Sequence, residues 1–224
     1  AQVIASLNHP NICTLHDVGP DYLVMEFIEG TEVKGPLPVA EVLRLSIQIA
    51  EAVNHAHRHG VIHRDLKPGN IMVTKSGVKV LDFGLAKLSR ADAAPGPTDD
   101  TRTATLTQPG TILGTPRYMA PEQLEGREAD RRSDIFAFGL VLYEIIAGCP
   151  AFEGKTHASL IAAILASEPK PVTSFQPLIP PALVHLIDTC LAKDPDDRQQ
   201  TMHGVLLELR WIAGGGSQAG IPRP

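Results

Sequence analysis

The side chains with the most chemical potential lie between His63 and Asp82. His-Arg-Asp-Leu-Lys-Pro-Gly-Asn, an apolar run, Lys75-Ser76-Gly77 and a second apolar run lead there to Asp82-Phe83-Gly84. Ile71 to Thr74 and Val78 to Leu81 are short β-prone segments around a polar, glycine-containing turn, the pattern of a β-hairpin. Asn70 precedes the first strand and Asp82 follows the second, equidistant from Ser76, so antiparallel pairing is expected to bring both to the open end of the hairpin. An amide oxygen beside a carboxylate, with Asp65 a few residues upstream, forms a set of hard oxygen donors suited to a Mg²⁺ ion that also holds phosphate. The segment reads as a phosphoryl-transfer centre.

The flanking elements must hold that centre in place. Residues 1–7 read as the last turns of a helix closed by Asn8-His9-Pro10, because proline disfavours helix in the residue before it. Ile12 to Val18 and Tyr22 to Ile28, around Gly19-Pro20-Asp21, are expected to pair as a hairpin, and Glu29-Gly30 breaks the pattern. A helix follows from Val39 to Arg58, with Val42, Leu43, Ile47, Ala50, Val53 and Ala56 at helical spacing and Gly60 as its stop. The stretch from Leu88 to Met119 offers little to bury and is expected to be a long functional loop. Four more helices are expected, over Ser133 to Ala147, His157 to Ser167, Pro181 to Leu191 and Gln200 to Ile212, before a disordered Gly/Ser/Pro tail. The chain opens on Ala1 inside a helical pattern without an initiator methionine, so it is expected to be cut from something longer.

Composition narrows the function classes. In 224 residues, 43% are hydrophobic and 20% charged, enough for one sizeable core. A formal net charge of -5 with no Lys/Arg stripe argues against nucleic acid or an anionic membrane surface as partner. The most apolar stretch, Ile135 to Gly148, is too short to span a bilayer and carries Glu144, so it reads as a buried helix. Cys13, Cys149 and Cys190 lack metal-site spacing and a pairing pattern, as buried thiols in a reducing, cytoplasmic compartment would.

His63 to Asn70, Asp82-Phe83-Gly84 and Ala120-Pro121-Glu122, in that order, resemble the signature set of protein kinases. Over about Ala1 to Ile212 the chain resembles a serine/threonine protein kinase of the eukaryotic-like type found in bacteria. The resemblance implies an α+β, bilobal fold with an incomplete N-terminal β lobe and a complete helical C-terminal lobe. Residues 1–29 would be the remnant of the first lobe, 30–212 the second with an activation segment at 82–122, and 213–224 the tail. It implies ATP with Mg²⁺, or Mn²⁺, as cofactors and Ser/Thr hydroxyls of proteins as acceptors.

By the same resemblance Asp65 is the base for the substrate hydroxyl, Lys67 reaches the γ-phosphate, and Thr115 hydrogen-bonds both. Asn70 and Asp82 would hold metal. Met25, Glu26 and Ile28 resemble the hinge that receives adenine, with Met72 as its floor and Glu32 near ribose or substrate. Ile4, Leu15, His63 and Phe83 match a packed column between the lobes. Asp134 would hold the backbone of the catalytic loop, and Arg198 would pair with Glu122. Arg64 would receive a phosphate from the activation segment, with Thr105 and Thr107 the favoured acceptors, and autophosphorylation implies a homodimer.

The Gly-rich loop, the strand lysine and the helix glutamate of the signature set have no counterpart in these residues. The isolated chain is therefore expected to show no appreciable activity. A catalytically dead, pseudokinase-like binding module is the alternative, opposed by the retention of Asp65, Asn70 and Asp82. A small-molecule phosphotransferase is less favoured because Ala120-Pro121-Glu122 and Arg198 are both present. A place on the cytoplasmic side of a membrane-anchored protein is also compatible with the sequence.

Overall fold

The computed structural model describes residues 7–19, 22–83 and 116–215. Its strands are β1 (Leu15–Val18), β2 (Leu23–Met25), β3 (Thr31–Glu32), β4 (Ile71–Thr74) and β5 (Gly77–Val80). Its helices are α1 (Val39–Arg58), α2 (Pro121–Leu124), α3 (Arg131–Ala147), α4 (His157–Ala166), α5 (Pro181–Cys190) and α6 (Met202–Ala213). The fold class is α+β, with short antiparallel strands set against a helical body.

The helical body is built around α3. Every residue from Ser133 to Tyr143 is buried, which leaves no polar face and makes α3 a core helix. By contrast α1 buries one stripe, including Val42, Leu45, Ile49, Val53 and Ala56, against α3 and α6. On α6 the matching stripe is Met202, Val205, Leu206, Leu209 and Ile212. Gly139 lets α3 approach α5 closely, because a Cβ there would lie 2.8 Å from Cys190 Cβ and 2.9 Å from Leu191 Cδ2. Gly139→Val is expected to cost ~1–3 kcal/mol by overpacking, read as a lower urea midpoint at an unchanged m-value. The better helix propensity of valine returns only a few tenths of a kcal/mol.

The two small sheets meet at the end of β5. β1 pairs with β2 across a bulge between Leu15 and Asp17, and β3, β4 and β5 form the second sheet in that order. Asn11 and Cys13 exchange backbone hydrogen bonds with Val80, a single parallel bridge that ties the segment before β1 to the catalytic hairpin. The Asn11 side chain adds a bond from Nδ2 to the Val78 carbonyl (2.9 Å).

Several boundaries differ from the sequence expectation, each for a local reason. The first hairpin is shorter, and Phe27 and Ile28 lie beyond its strand. In the second hairpin Thr74 pairs with Gly77, leaving a two-residue connection, Lys75-Ser76. Gly77 joins the strand at φ 130°, a conformation glycine tolerates. β3 was not expected, since two residues carry no periodicity. α3 begins at Arg131 because the Asp130 carboxylate accepts from the Arg132 N–H (2.7 Å). α6 begins at Met202 because Thr201 Oγ1 accepts from the Gly204 N–H (3.1 Å).

Candidate active site

The loop from His63 to Asn70 is held from behind by one buried carboxylate. Asp134, in the first turn of α3 and 1% exposed, accepts from the backbone N–H of His63 through Oδ2 (2.8 Å) and from that of Arg64 through Oδ1 (2.8 Å). Its Oδ2 also lies 2.7 Å from His57 Nε2 on α1, so three donors converge on one charge. Arg64 takes φ 70°, a conformation costly for a side-chain-bearing residue, and the turn it makes leads directly to Asp65. Asp134→Asn turns an NH₂ group toward at least one of these donors. It is expected to cost about 1–3 kcal/mol, measured by urea unfolding.

His63 joins this loop to the exit of β5. Its Nε2 is 2.9 Å from the Leu81 carbonyl, which only accepts, so the proton sits on Nε2 and Nδ1 is free to accept from the Asp65 N–H (3.3 Å). Burial pushes the imidazole pKa down, outweighing the upward pull of Asp134 and the Leu81 carbonyl, and the ring is neutral in keeping with this tautomer. The ring lies 4.6 Å from that of Phe83, centroid to centroid. One side chain thus fixes Asp65 relative to the residues around Asp82.

The Asp65 carboxylate is about half exposed and faces two donors. Its Oδ2 accepts from Lys67 Nζ (2.6 Å) and Asn70 Nδ2 (3.2 Å), while the Asp65 carbonyl accepts from Asn70 Nδ2 (2.8 Å). With its NH₂ group committed to Asp65, Asn70 keeps Oδ1 as an acceptor for a ligand. Asp82 does not sit opposite Asn70 as the symmetric hairpin would have it. The observed register sets Leu81 opposite Asn70, with Leu81 N–H donating to the Asn70 carbonyl (2.8 Å). Asp82 is one residue farther on, exposed and at φ 58°, so a local left-handed turn and not strand pairing sets its direction.

The segment expected to receive adenine is fastened from below. Lys79 on β5 donates to Glu26 Oε2 (2.8 Å), and the Thr14 N–H donates to the same oxygen (3.2 Å). The hydrogen bond from Lys79 holds the Glu26 carboxyl below its usual range against the opposing effect of burial. The Glu26 N–H is itself spent on the Thr14 carbonyl (2.9 Å). Met25 is 41% exposed, Ile28 is half-buried, and Met72 lies on β4 beside Glu32 and Lys79. Leu15, His63 and Phe83 are buried.

Glu122 and Arg198 form a bidentate pair inside the helical body, with both contacts at 2.8 Å and both side chains almost fully buried. Ser133 Oγ donates to Glu122 Oε1 (2.6 Å), and Arg198 also donates to the carbonyls of Ala192 and Lys193 while stacking 4.9 Å from the Phe136 ring. Gln123, two residues past Ala120-Pro121, donates to the Arg64 carbonyl (3.2 Å), linking that pair to the catalytic loop. Arg64 Nε is buried with no partner among the described residues. Ile4, Thr105, Thr107 and Thr115 lie outside the described residues.

Sequence reasoning did not single out His57, Gln123, Ser133 or Lys79. Each acts through a partner more than ten residues away, and the only sequence signal for any of them is a polar residue on an otherwise apolar helix face, as for His57.

A family profile described as "Protein kinase domain" matches residues 1–212. The chain belongs to the protein kinase family. It is 36% identical to the serine/threonine-protein kinase PknB of Mycolicibacterium smegmatis and 34% identical to PrkC of Bacillus subtilis, over 93% and 94% of its own length. It spans 34% and 32% of those relatives. The kinase domain of Mycobacterium tuberculosis PknI superposes with a TM-score of 0.69 at 25% identity, covering 93% of this chain and 75% of that one. Rad53 1-466 in complex with AMP-PNP superposes with a TM-score of 0.72 at 28% identity, covering 94% and 53%.

Membership in the kinase family implies ATP and a divalent metal, and the donor set fits one. Asn70 Oδ1 and the Asp82 carboxylate are hard oxygens, and among the described residues no cluster of three His, Cys, Asp or Glu would cage a metal unaided. Such a sparse set suits an ion that takes its other ligands from phosphate and water. Among the described residues of this kinase chain, no helix is long and apolar enough to cross a membrane.

Proposed function

We propose that this chain carries the catalytic loop of a serine/threonine protein kinase that transfers the γ-phosphoryl group of ATP to Ser or Thr hydroxyls of proteins. The observation that carries the reading is the Asp65 carboxylate, presented on the surface with Lys67 Nζ at 2.6 Å and anchored from behind through Asp134. Asp65 accepts the hydrogen bond of the substrate hydroxyl and finally its proton, as the oxygen bonds to phosphorus and the β–γ oxygen–phosphorus bond breaks. Lys67, while tied to Asp65, places a positive charge beside the equatorial phosphoryl oxygens. Asn70 and Asp82 would hold Mg²⁺, or Mn²⁺, which neutralises phosphate charge. Met25, Glu26, Ile28 and Met72 would receive adenine, and Thr115 would border the acceptor.

Arg64 fits a regulatory role, since its buried Nε, without a partner among the described residues, is a donor suited to a phosphate on Thr105 or Thr107. Transfer between two copies of the chain would supply that phosphate. Residues 1–29 and 30–212 would belong to different lobes. The free thiols Cys13, Cys149 and Cys190 fit a cytoplasmic setting.

The test is transfer of labelled γ-phosphate from ATP by the full-length protein to a mixed protein substrate, followed by acid hydrolysis. Metal-dependent phosphoserine and phosphothreonine are expected. Phosphotyrosine alone, or no transfer above a no-enzyme control, would overturn the assignment.

A further inference from the structure

Gln123, in the first turn of α2, joins two segments of backbone through a single amide group. Its Oε1 accepts from the Ala120 N–H (2.9 Å), and its Nε2 donates to the Arg64 carbonyl (3.2 Å). The first partner can only donate and the second can only accept, so the two contacts together fix which end of the amide is which. They also separate two demands. Capping the start of α2 calls for an acceptor at this position, which a glutamate supplies as well as a glutamine. Only an NH₂ group can serve the Arg64 carbonyl, so the choice of amide over carboxylate answers to the catalytic loop and not to the helix.

The Arg64 carbonyl belongs to the peptide unit that leads into Asp65. In a trans peptide the carbonyl and the N–H point to opposite sides of one plane. Gln123 holds the carbonyl side, and His63 Nδ1 accepts from the Asp65 N–H on the other (3.3 Å). The unit before it is held by Asp134, which accepts from the Arg64 N–H (2.8 Å). Arg64 needs these restraints, because φ 70° is a costly conformation that an unrestrained turn would leave. Rotating the plane between Arg64 and Asp65 changes φ at Asp65 and swings its carboxylate. Gln123 is itself fixed by its chain neighbour Glu122, whose pair with Arg198 anchors this turn in the helical body.

We infer that Gln123 is a positioning residue for phosphoryl transfer: its amide fixes the peptide plane before Asp65 and ties the aim of that carboxylate to the seat of Ala120-Pro121-Glu122. The inference rests on the reading of Asp65 as the base. Losing the donor removes none of the groups proposed to meet ATP or acceptor, so the effect falls on turnover and not on binding.

The test compares Gln123→Glu and Gln123→Met with the parent in the full-length protein. Gln123→Glu keeps an oxygen for the Ala120 N–H and turns another toward the Arg64 carbonyl. It is expected to lower the single-turnover rate at saturating ATP and acceptor by about 10–10²-fold, the scale of a small misplacement of a reacting group. Both KM values should stay near those of the parent. Gln123→Met, similar in length but without either contact, is expected to lose less, since it removes the restraint without adding repulsion. It decides the matter if the glutamate variant does not fold. In an Asp65→Asn background Gln123→Glu should add little further loss, because the side chain it orients is already disabled. Hydrogen exchange read by mass spectrometry is independent of activity: peptides covering His63 to Asn70 should exchange faster in both variants while α1 and α3 keep the parent rates. If the parent itself transfers no phosphate, the reading of Asp65 fails, and the exchange rates still decide whether Gln123 holds the loop. Unchanged turnover in both variants, a loss carried by KM alone, a fully additive loss in the Asp65→Asn background, or unchanged exchange would overturn the proposal.

Discussion

Asp65→Asn in the full-length protein is expected to lower phosphoryl transfer by about 10²–10⁴-fold, the range lost when a positioned general base is removed. The substitution is nearly isosteric. Asn keeps an oxygen to accept from Lys67 and Asn70, and the half-exposed site imposes little burial cost, so the unfolding midpoint should stay near that of the parent. What is lost is a charge that can take the hydroxyl proton and hold Lys67 in place. Because the loop behind Asp65 is fixed by Asp134 and His63, neither of which touches the Asp65 carboxylate, the defect should fall on turnover more than on substrate affinity. Single-turnover rates with saturating ATP and acceptor give the comparison. Turnover within a few-fold of the parent would remove Asp65 from the role of base.

Arg198→Ala should produce the largest loss of stability, about 3–5 kcal/mol. The truncation leaves the Glu122 carboxylate buried with Ser133 as its remaining side-chain donor, and it frees the carbonyls of Ala192 and Lys193 that the guanidinium had satisfied. Arg198→Lys should recover only part of the loss, because an ammonium cannot reproduce the two parallel bonds. The pair also sets a pH dependence. Burial raises the Glu122 pKa, but hydrogen bonds from Arg198 and Ser133 outweigh it and hold the carboxyl below its ordinary value. A carboxyl depressed in the folded state contributes its full stability above the unfolded value of ~4.3 and loses it as pH falls through the folded value. The parent should therefore lose stability on acidification in that window, and the Arg198→Ala variant should lose less. Urea midpoints between pH 7 and pH 3 test both statements; parallel pH slopes would show that the pair does not act this way.

Much of the site's identity was legible in local patterns. Helices such as α1 and α5 announced themselves through apolar spacing, because one turn of helix brings residues three and four apart to one face. The catalytic hairpin was legible from two β-prone runs around a polar, glycine-containing turn, and the order of His63 to Asn70, Asp82 to Gly84 and Ala120 to Glu122 sufficed to place the chain in its family. The hairpin's symmetry misled by one position: counting along the chain set Asn70 against Asp82, whereas Gly77 entered β5 and moved the register so that Leu81 stands there.

The sequence by itself determined which residue types could do phosphoryl chemistry, in what order, and on which kinds of element. Tertiary structure alone decided how they are held. Gln123 reaches Arg64 across 59 positions, His57 reaches Asp134 across 77, and Lys79 reaches Glu26 across 53. Periodicity encodes the face a side chain occupies on its own element, whereas a contact across the chain depends on how α3, α1 and the sheets pack, which no local pattern records.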